Sequence, residues 1–235
     1  MSIPRGEIDL NLEAWKQNRI NWYNEQMEKG NIVNWKLFKD PEDPTKGVFY
    51  NSIIGWAAAE VNVVKLEAYG LARYYNIVSP GSSSALEAIL KEAQQKRQPV
   101  FGYYWSPNAP MGAYDWHILE EPPYTDKCWE DIVAAVEDES LRPIDRACAY
   151  ESFPMDKIAH KNLLKKVPDV VKMLRKMMVG LEPLNKTLAW AKENEIQDWQ
   201  EATIYYLQEY EDRWKTWVTS GAYKKIKKAL KEASS

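Results

Sequence analysis

A change of character at Phe153-Pro154 constrains the fold of this chain more than any other feature of its sequence. Before it, short apolar runs alternate with helical periodicity and with breaks rich in proline and glycine. After it, nearly the whole chain has helical periodicity. Helices that alternate with short strands are typical of an α/β architecture. At 235 residues the chain is long enough for one large domain or for two smaller lobes.

The part before this change predicts both kinds of element. Helices are predicted at residues 11–29, from Trp56 to about 69 and at 84–97. Ser84 and Glu87 have the spacing of a capping box, which predicts that the third helix begins there. A turn-rich break is predicted at 39–47. Strands are predicted at 47–51, 100–104, 116–120 and 146–150.

The part after the change predicts helices that pack through large side chains. Pro168 opens one of them, with Val171, Leu174 and Met178 on one face. The last long segment has aromatic residues and a threonine three or four positions apart. We interpret these as one continuous helical stripe that packs into a core. The stripe consists of Trp199, Thr203, Tyr206, Tyr210, Trp214 and Trp217.

The charge pattern excludes some classes of function. The net charge is −3, so there is no overall basic field to attract nucleic acid. The basic cluster at residues 224–228 is interpreted as a solvated helix end. No apolar run approaches the roughly 20 residues needed to cross a bilayer. Residues 1–5 lack the apolar core of a secretory signal, which by itself indicates a cytoplasmic protein.

No residue pattern predicts a metal, a cofactor or a catalytic centre. Cys128 and Cys148 lack partners at metal-binding spacing, so they form either a disulfide or two buried free thiols. His117 and His160 belong to no nucleophile or metal pattern. The neighbouring Glu120 and Glu121 precede two prolines and are interpreted as part of a loop rather than as an acid pair. We therefore expect a protein that is not an enzyme.

Three tryptophans, Trp15, Trp56 and Trp105, each lie in a short motif of their own. Indole faces attract cations, and a quaternary ammonium, which cannot donate hydrogen bonds, suits a cage of such faces. The chain has 11 Trp and 14 Tyr, however, and large aromatic side chains commonly fill cores. The residue types alone leave both interpretations open.

The motifs around these tryptophans recur in order in a known family. The chain resembles the substrate-binding proteins of glycine betaine/choline-type ABC importers. The most specific of the shared motifs is the tyrosine-tyrosine-tryptophan-x-proline run at 103–107. In chain order, the segments that carry the resemblance are residues 6–9 with 15, 46–51, 55–56, 69–71, 79–82, 98–107, 119–122 and 214–218.

The resemblance implies an α/β, two-lobed, hinged periplasmic-binding-protein fold (type II-like), with the ligand between the lobes. Lobe 1 is then expected to comprise residues 1–38 and 152–235, and lobe 2 residues 39–151. Relatives carry a strand–helix–strand unit upstream of the segment that matches residues 6–9. The first lobe is therefore expected to be reduced or truncated at its N-terminus.

The resemblance also implies a function. The protein is expected to capture glycine betaine or a related quaternary-ammonium solute and to deliver it to the permease of an ABC importer. Its expected location is periplasmic or extracellular, with membrane association through the transporter and an export signal removed or upstream. This location favours a Cys128–Cys148 disulfide. The alternative is a truncated binding module with a sensing or protein-interaction role and no transport function.

The resemblance finally implies the residues of the site. Trp15, Trp56 and Trp105 match the positions of the family's aromatic cage, and Tyr104 lies beside Trp105. A ligand carboxylate needs donors, and Arg19, one helical turn after Trp15, is a candidate, although a surface arginine is the alternative. The backbone N–H groups of Ala57 and Ala58 are the second candidate, because they begin a predicted helix.

Overall fold

A computed structural model of the protein describes residues 35–233. The helix predicted at 11–29 lies outside them. Contacts divide the described residues into two compact units. Unit 1 comprises residues 35–104 and 116–152, and unit 2 comprises residues 105–115 and 153–233.

The two units differ from the predicted lobes in two segments and at one boundary residue, Ser152, which belongs to unit 1. Residues 35–38 belong to unit 1, and residues 105–115 belong to unit 2. The chain therefore passes between the units after residues 104, 115 and 152. The lobe boundaries deduced from the sequence remain a prediction.

Unit 1 is built on a pair of parallel strands joined by a helix. β1 (Gly47–Tyr50) pairs with β2 (Tyr75–Val78), with Gly47 opposite Tyr75 and Tyr50 opposite Val78. The intervening α1 (Ala57–Ala68) supplies the crossover that parallel strands require. The turns at 41–46, the strand at 47–50 and the helix from 57 agree with the predictions. The sequence did not indicate β2.

Two further helices and two 3₁₀ turns complete unit 1. α2 (Ser83–Gln95) begins at Ser82, whose hydroxyl accepts a hydrogen bond from the Ala85 amide at 3.1 Å. The prediction of the helix is confirmed, but the predicted cap at Ser84 is wrong, because Ser84 lies inside the first turn. The next helix along the chain, α3 (Ala109–Ala113), belongs to unit 2. The remaining elements are α4 (Asp126–Glu137) and the 3₁₀ turns Trp35–Phe38 and Glu139–Leu141.

The core of unit 1 forms where α1 and α4 pack together. Val64, Ile132 and Ala135 are completely buried there. Beside them, Cys128 and Cys148 form a disulfide with their Cα atoms 6.4 Å apart. The disulfide ties the start of α4 to the segment that follows the second 3₁₀ turn.

Three of the predicted strands are absent from the structure. Residues 100–104 make one parallel bridge, between Gly102 and Tyr50, and no ladder. Residues 116–120 and 146–150 have no regular secondary structure. The last of these segments is held by one backbone bond, from the Ala149 amide to the Pro122 carbonyl at 2.8 Å. Their apolar composition is strand-like, but a strand also needs a partner along its length.

Unit 2 contains the other helices of the described residues. They are α3 (Ala109–Ala113), α5 (Leu163–Lys166), α6 (Pro168–Lys176), α7 (Leu181–Glu193), α8 (Trp199–Glu209), α9 (Glu211–Trp214) and α10 (Ser220–Ala233). Pro168 is the first residue of α6, as predicted. A Cβ atom at Gly112 would overlap the carbonyl oxygen of Asn185, so α3 approaches α7 backbone to backbone. No helix among residues 35–233 combines the length and the apolar character needed to span a bilayer.

The predicted aromatic stripe is only partly correct. Tyr206, Trp214, Trp217 and Leu230 form a buried cluster, here called the aromatic cluster. Trp199, in contrast, is 63% exposed. The segment is not one helix, because the backbone at Tyr210 (φ −115°, ψ 40°) leaves the helical conformation between α8 and α9. Trp199 and Thr203, in the first half of α8, are exposed, whereas Tyr206 packs with the buried residues beyond the break.

Candidate functional site

Trp56 occupies the N-cap position of α1 and is 45% exposed. Its backbone is extended (φ −88°, ψ 138°), and its side chain makes no capping hydrogen bond. The preceding Gly55 has φ +88°, a conformation that favours glycine. The turn is closed by a 3.1 Å bond from the Trp56 amide to the Ile53 carbonyl. The sequence thus presents an indole at the beginning of a helix.

The amides that follow Trp56 are the first donors of α1. The N–H groups of Ala57 and Ala58 have no hydrogen-bond acceptor within residues 35–233, whereas the Ala59 amide donates to the Trp56 carbonyl at 2.9 Å. Free first-turn amides and the positive end of the helix dipole favour an anion. An exposed indole and two helix-start N–H groups therefore lie next to each other on one short segment.

A buried hydrogen-bond network centred on Asn51 supports the segment that carries Trp56 and the first turn of α1. Asn51, at the end of β1, is 1% exposed. Its side-chain amide donates to the Ala59 carbonyl at 2.9 Å, and its oxygen accepts from the Ser52 amide at 2.7 Å. That oxygen also accepts from the side chain of Asn62 at 2.8 Å. Asn51 therefore fixes the end of the strand to the first turn of α1.

The network continues from Asn62 into the opposite side of unit 1. The Tyr150 hydroxyl donates to the Asn62 oxygen at 2.9 Å, and Lys65 Nζ lies 4.2 Å from the Tyr150 ring centre. Lys65 also contacts a Glu121 oxygen at 2.7 Å, and the Tyr69 hydroxyl donates to that carboxylate at 2.7 Å. Glu121 is thus committed to an ion pair.

The electrostatics of this network follow from burial. Burial lowers the pKa of Lys65, while the nearby Glu121 carboxylate opposes that change. Burial likewise raises the pKa of the Tyr150 hydroxyl above its ordinary value, with Tyr103 and Glu121 adding to the shift. Burial opposes charge on both groups, so Tyr150 is held as the neutral phenol, while the Glu121 carboxylate favours the ammonium form of Lys65. The network is a support for the segment and offers no free acid or base.

Tyr104 and Trp105 are neighbours in the chain but belong to different units. Tyr104 is half-buried in unit 1, where burial, with a contribution from Glu87, raises the pKa of its hydroxyl to about 12. Trp105 is half-buried in unit 2, and its carbonyl accepts a hydrogen bond from the Asn108 side chain. The Asn108 amide in turn donates to Asn185 Oδ1 at 2.8 Å, which attaches this segment to α7.

The structure places the predicted site residues as follows. Trp56, Ala57, Ala58 and Tyr104 lie in unit 1, Trp105 lies in unit 2, and Trp15 and Arg19 lie outside the described residues. Only Trp56 and the two alanines are brought together within one local segment. The complete cage, and the roles of Arg19 and Tyr104 in it, remain predictions.

Sequence reasoning did not identify Asn51, Asn62, Lys65 and Tyr150. One signal was present, because Asn62 and Lys65 interrupt the apolar helix 57–68 three residues apart and therefore share a face. A buried polar pair on such a face needs partners. Tyr150 gave no comparable signal, since it lies 88 residues from Asn62.

Unit 2 also contains an open cleft of about 670 Å³. Its walls come from residues that follow Trp105 and from the end of α7, and the exposed Trp199 forms part of its edge. Lys192 and Glu195 also line the cleft. None of the predicted ligand-binding residues lines it.

Comparison with known proteins gives two findings. The family model described as the substrate binding domain of ABC-type glycine betaine transport systems matches residues 18–209. This range includes Arg19, Trp56 and Trp105 and begins after Trp15. The chain is also similar to a solved structure, lactococcal OpuAC in its closed-liganded conformation complexed with glycine betaine. That similarity has 15% sequence identity and a TM-score of 0.43, and it covers 89% of this chain and 85% of the other.

Proposed function

Because the chain belongs to the family of substrate-binding domains of ABC-type glycine betaine transport systems, we propose that it captures glycine betaine or a close quaternary-ammonium relative. The match covers 18–209 of the 235 residues. It confirms the resemblance found in the motifs, and with it the α/β, two-lobed class of fold. This family consists of solute-binding domains and is not a class of enzymes. Binding domains of ABC importers work outside the cytoplasm.

The observation that supports this ligand class is the start of α1. The exposed indole of Trp56 can lie against a trimethylammonium group, which water solvates poorly. The adjacent N–H groups of Ala57 and Ala58 can donate hydrogen bonds to the carboxylate of the same molecule. A zwitterion such as glycine betaine carries both groups a short distance apart. The neighbouring donors and indole therefore fit a betaine better than they fit choline.

The complete cage is part of the same proposal. Trp15, Trp56 and Trp105 surround the ammonium group, with Tyr104 beside them, and Arg19 adds a donor to the carboxylate. The loaded protein delivers its ligand to the permease of the importer on the periplasmic or extracellular side. Trp15 lies outside the range of the family match, so its role rests on the motif at 6–9 alone.

Calorimetry with glycine betaine, choline, carnitine and a sulfonium analogue tests the proposal. Each of the variants W15A, W56A and W105A is expected to weaken glycine betaine binding about five- to thirtyfold, because each removes a cation–π contact. W199A is the matched control, since Trp199 is an exposed tryptophan outside the cage. Parental affinity in all three cage variants would contradict the cage.

A single proline substitution tests separately whether the first amides of α1, those of Ala57 and Ala58, bind the ligand carboxylate. Proline is tolerated at the first position of a helix, so A57P removes one N–H donor and leaves α1 intact. We expect A57P to weaken betaine binding several-fold and to leave choline binding unchanged. S83P, at the first position of α2, is the matched control. R19A should likewise weaken betaine more than choline.

The alternative function, a sensing or interaction module without transport, predicts a different solution behaviour. A dimer that does not respond to ligand, as measured by light scattering, would support a remnant that has lost lobe closure. A compact monomer that changes on addition of glycine betaine would count against this alternative.

A further inference from the structure

Residues 153–178 of unit 2, here called the basic segment, carry an unusual charge. The segment contains seven basic residues and two acidic ones, Asp156 and Asp169. All seven basic side chains are exposed. They are Lys157, Lys161, Lys165, Lys166, Lys172, Arg175 and Lys176.

Most of these charges are not neutralised by the protein itself. Within residues 35–233, the side chains of Lys161, Lys165, Lys166, Lys172 and Arg175 form no ion pair. Elsewhere, exposed lysines such as Lys127 and Lys215 pair with a carboxylate on their own helix or next to it. A group of unpaired like charges repels itself, so an external anion stabilises it.

Large apolar side chains are interleaved with the lysines. Ordinary surfaces carry such side chains singly, and a cluster of them marks a site of interaction. The exposed fractions are 75% for Phe153, 63% for Met155, 97% for Ile158, 52% for Leu164 and 70% for Met178.

The segment is attached to a fixed framework. Met173 of α6 and Met177, directly after that helix, pack against the aromatic cluster. Lys157 Nζ donates to the Met177 carbonyl at 2.7 Å, which holds the irregular part of the segment against the end of α6. The exposed apolar and basic side chains are therefore presented together by one supported surface.

We propose that the basic segment docks on an anionic lipid bilayer. Its lysines lie at the level of the headgroups, and Phe153, Met155 and Ile158 enter the boundary between headgroups and acyl chains. Basic residues interleaved with exposed apolar ones are the pattern of proteins that lie on a membrane surface. The inference does not depend on which solute the protein binds.

The charge distribution of the described residues favours lipid as the partner. Unit 2 has 16 basic and 12 acidic residues, a net charge of +4, whereas unit 1 has 11 basic and 17 acidic residues, a net charge of −6. An anionic surface therefore attracts unit 2 and repels unit 1. The exposed apolar side chains alternate with lysines along the segment, which suits a fluid bilayer better than an acidic protein surface.

Flotation of the protein with vesicles tests this directly. The probe is protein-free vesicles of phosphatidylcholine and phosphatidylglycerol at about two to one, at ~0.1 M salt. We expect binding there, no binding to pure phosphatidylcholine vesicles, and a loss of binding at ~0.5 M salt. K165E/K166E and F153S/I158S are each expected to weaken binding about tenfold.

K224E/K225E is the matched control, because it makes the same charge change on α10. Those lysines are exposed, but within the described residues α10 has no large exposed apolar side chain. We expect less than about a twofold effect. Circular dichroism and thermal denaturation report whether each variant is folded. Absence of binding to the anionic vesicles overturns the proposal, as does an equal loss in both lysine pairs. Binding only to vesicles that contain the permease would assign the segment to a protein partner instead.

Discussion

Unit 1 and unit 2 are held together by different kinds of interaction. Unit 1 combines a parallel strand pair, a disulfide and a buried ion pair between Lys65 and Glu121. The described part of unit 2 consists of helices around one aromatic cluster. Specific polar and covalent links therefore dominate in unit 1, and burial of large aromatic area dominates in unit 2.

The two units also differ in where their polar and charged side chains lie. Unit 1 buries polar side chains such as Asn51, Asn62 and Lys65, each with a partner, beneath the turn that presents Trp56. Unit 2 leaves its lysines at residues 157–176 exposed beside large apolar side chains. The buried polar network that supports Trp56 therefore lies in unit 1, whereas the exposed cationic and apolar surface of the basic segment lies in unit 2. Each part is expected to fail under a different perturbation.

Replacement of Trp214 by alanine has the largest expected effect. Trp214 is 1% exposed, and its indole N–H donates to the Leu207 carbonyl at 2.6 Å. Loss of a buried tryptophan lowers the free energy of unfolding by about 3–5 kcal/mol. Hydrogen exchange read by mass spectrometry should locate the change in residues 153–233. W199A is the control and should cost less than about 0.5 kcal/mol. Similar losses in both variants would remove the aromatic cluster as the main support of unit 2.

Removal of the disulfide should affect unit 1 instead. The bridge closes a loop with a sequence separation of 20 residues, for which the chain-entropy model gives about 3 kcal/mol. We therefore expect C128A/C148A to lower the free energy of unfolding by that amount. Hydrogen exchange should accelerate in α4 and α1, while α6–α10 keep their protection. Acceleration spread evenly over both units would contradict the division.

Breaking the buried ion pair should have a smaller effect in the same unit. E121Q leaves the Lys65 charge, whose side chain is 6% exposed, without its carboxylate. Because the Glu121 side chain is 25% exposed, we expect a loss of about 2 kcal/mol rather than the full cost of an isolated buried charge. Chemical denaturation measures this loss. The neighbouring E120Q changes an exposed side chain and should be nearly neutral.

The smallest expected effect is a loss of stability at alkaline pH caused by Tyr104. The folded protein holds the pKa of this hydroxyl at about 12, whereas an unfolded chain has the ordinary value of ~10. The contribution is therefore complete below pH ~10 and is lost as pH rises toward ~12, by about 1 kcal/mol at pH ~11 once solvent screening of this half-buried group is allowed for. Y104F should lack this part of the decline in denaturation curves measured across that range. A parallel decline in the parent protein and Y104F would show that Tyr104 ionises normally.

The sequence predicted those parts of the fold that local rules determine. α1, α2 and α6 follow from apolar periodicity and from the turn residues before them. β2 did not, because Asn76 interrupts its apolar pattern and its side chain donates to Asp40, 36 residues away. The stripe at 199–217 kept its spacing across the break at Tyr210, and spacing alone does not reveal a change of backbone direction.

The candidate site shows the same limit. Trp56 with Ala57 and Ala58 was predictable, because one short motif contains the indole, the turn and the helix start. The support beneath it joins Asn51 to Asn62 and Tyr150, and such contacts depend on how distant segments pack. No local rule states which buried polar side chains will meet.

The attachment of α3 to α7 determines what would happen to a cleaved chain. A cut between residues 152 and 160 produces an N-terminal polypeptide that still contains α3, the helix that contacts Asn185 backbone to backbone. The C-terminal polypeptide contributes α7 to that contact. The two fragments are therefore interlocked through a helix of one and a helix of the other. Residues 1–152 and 153–235, expressed separately, are therefore suited to a fragment-complementation experiment. Association of the two fragments would report that α3 has packed against α7.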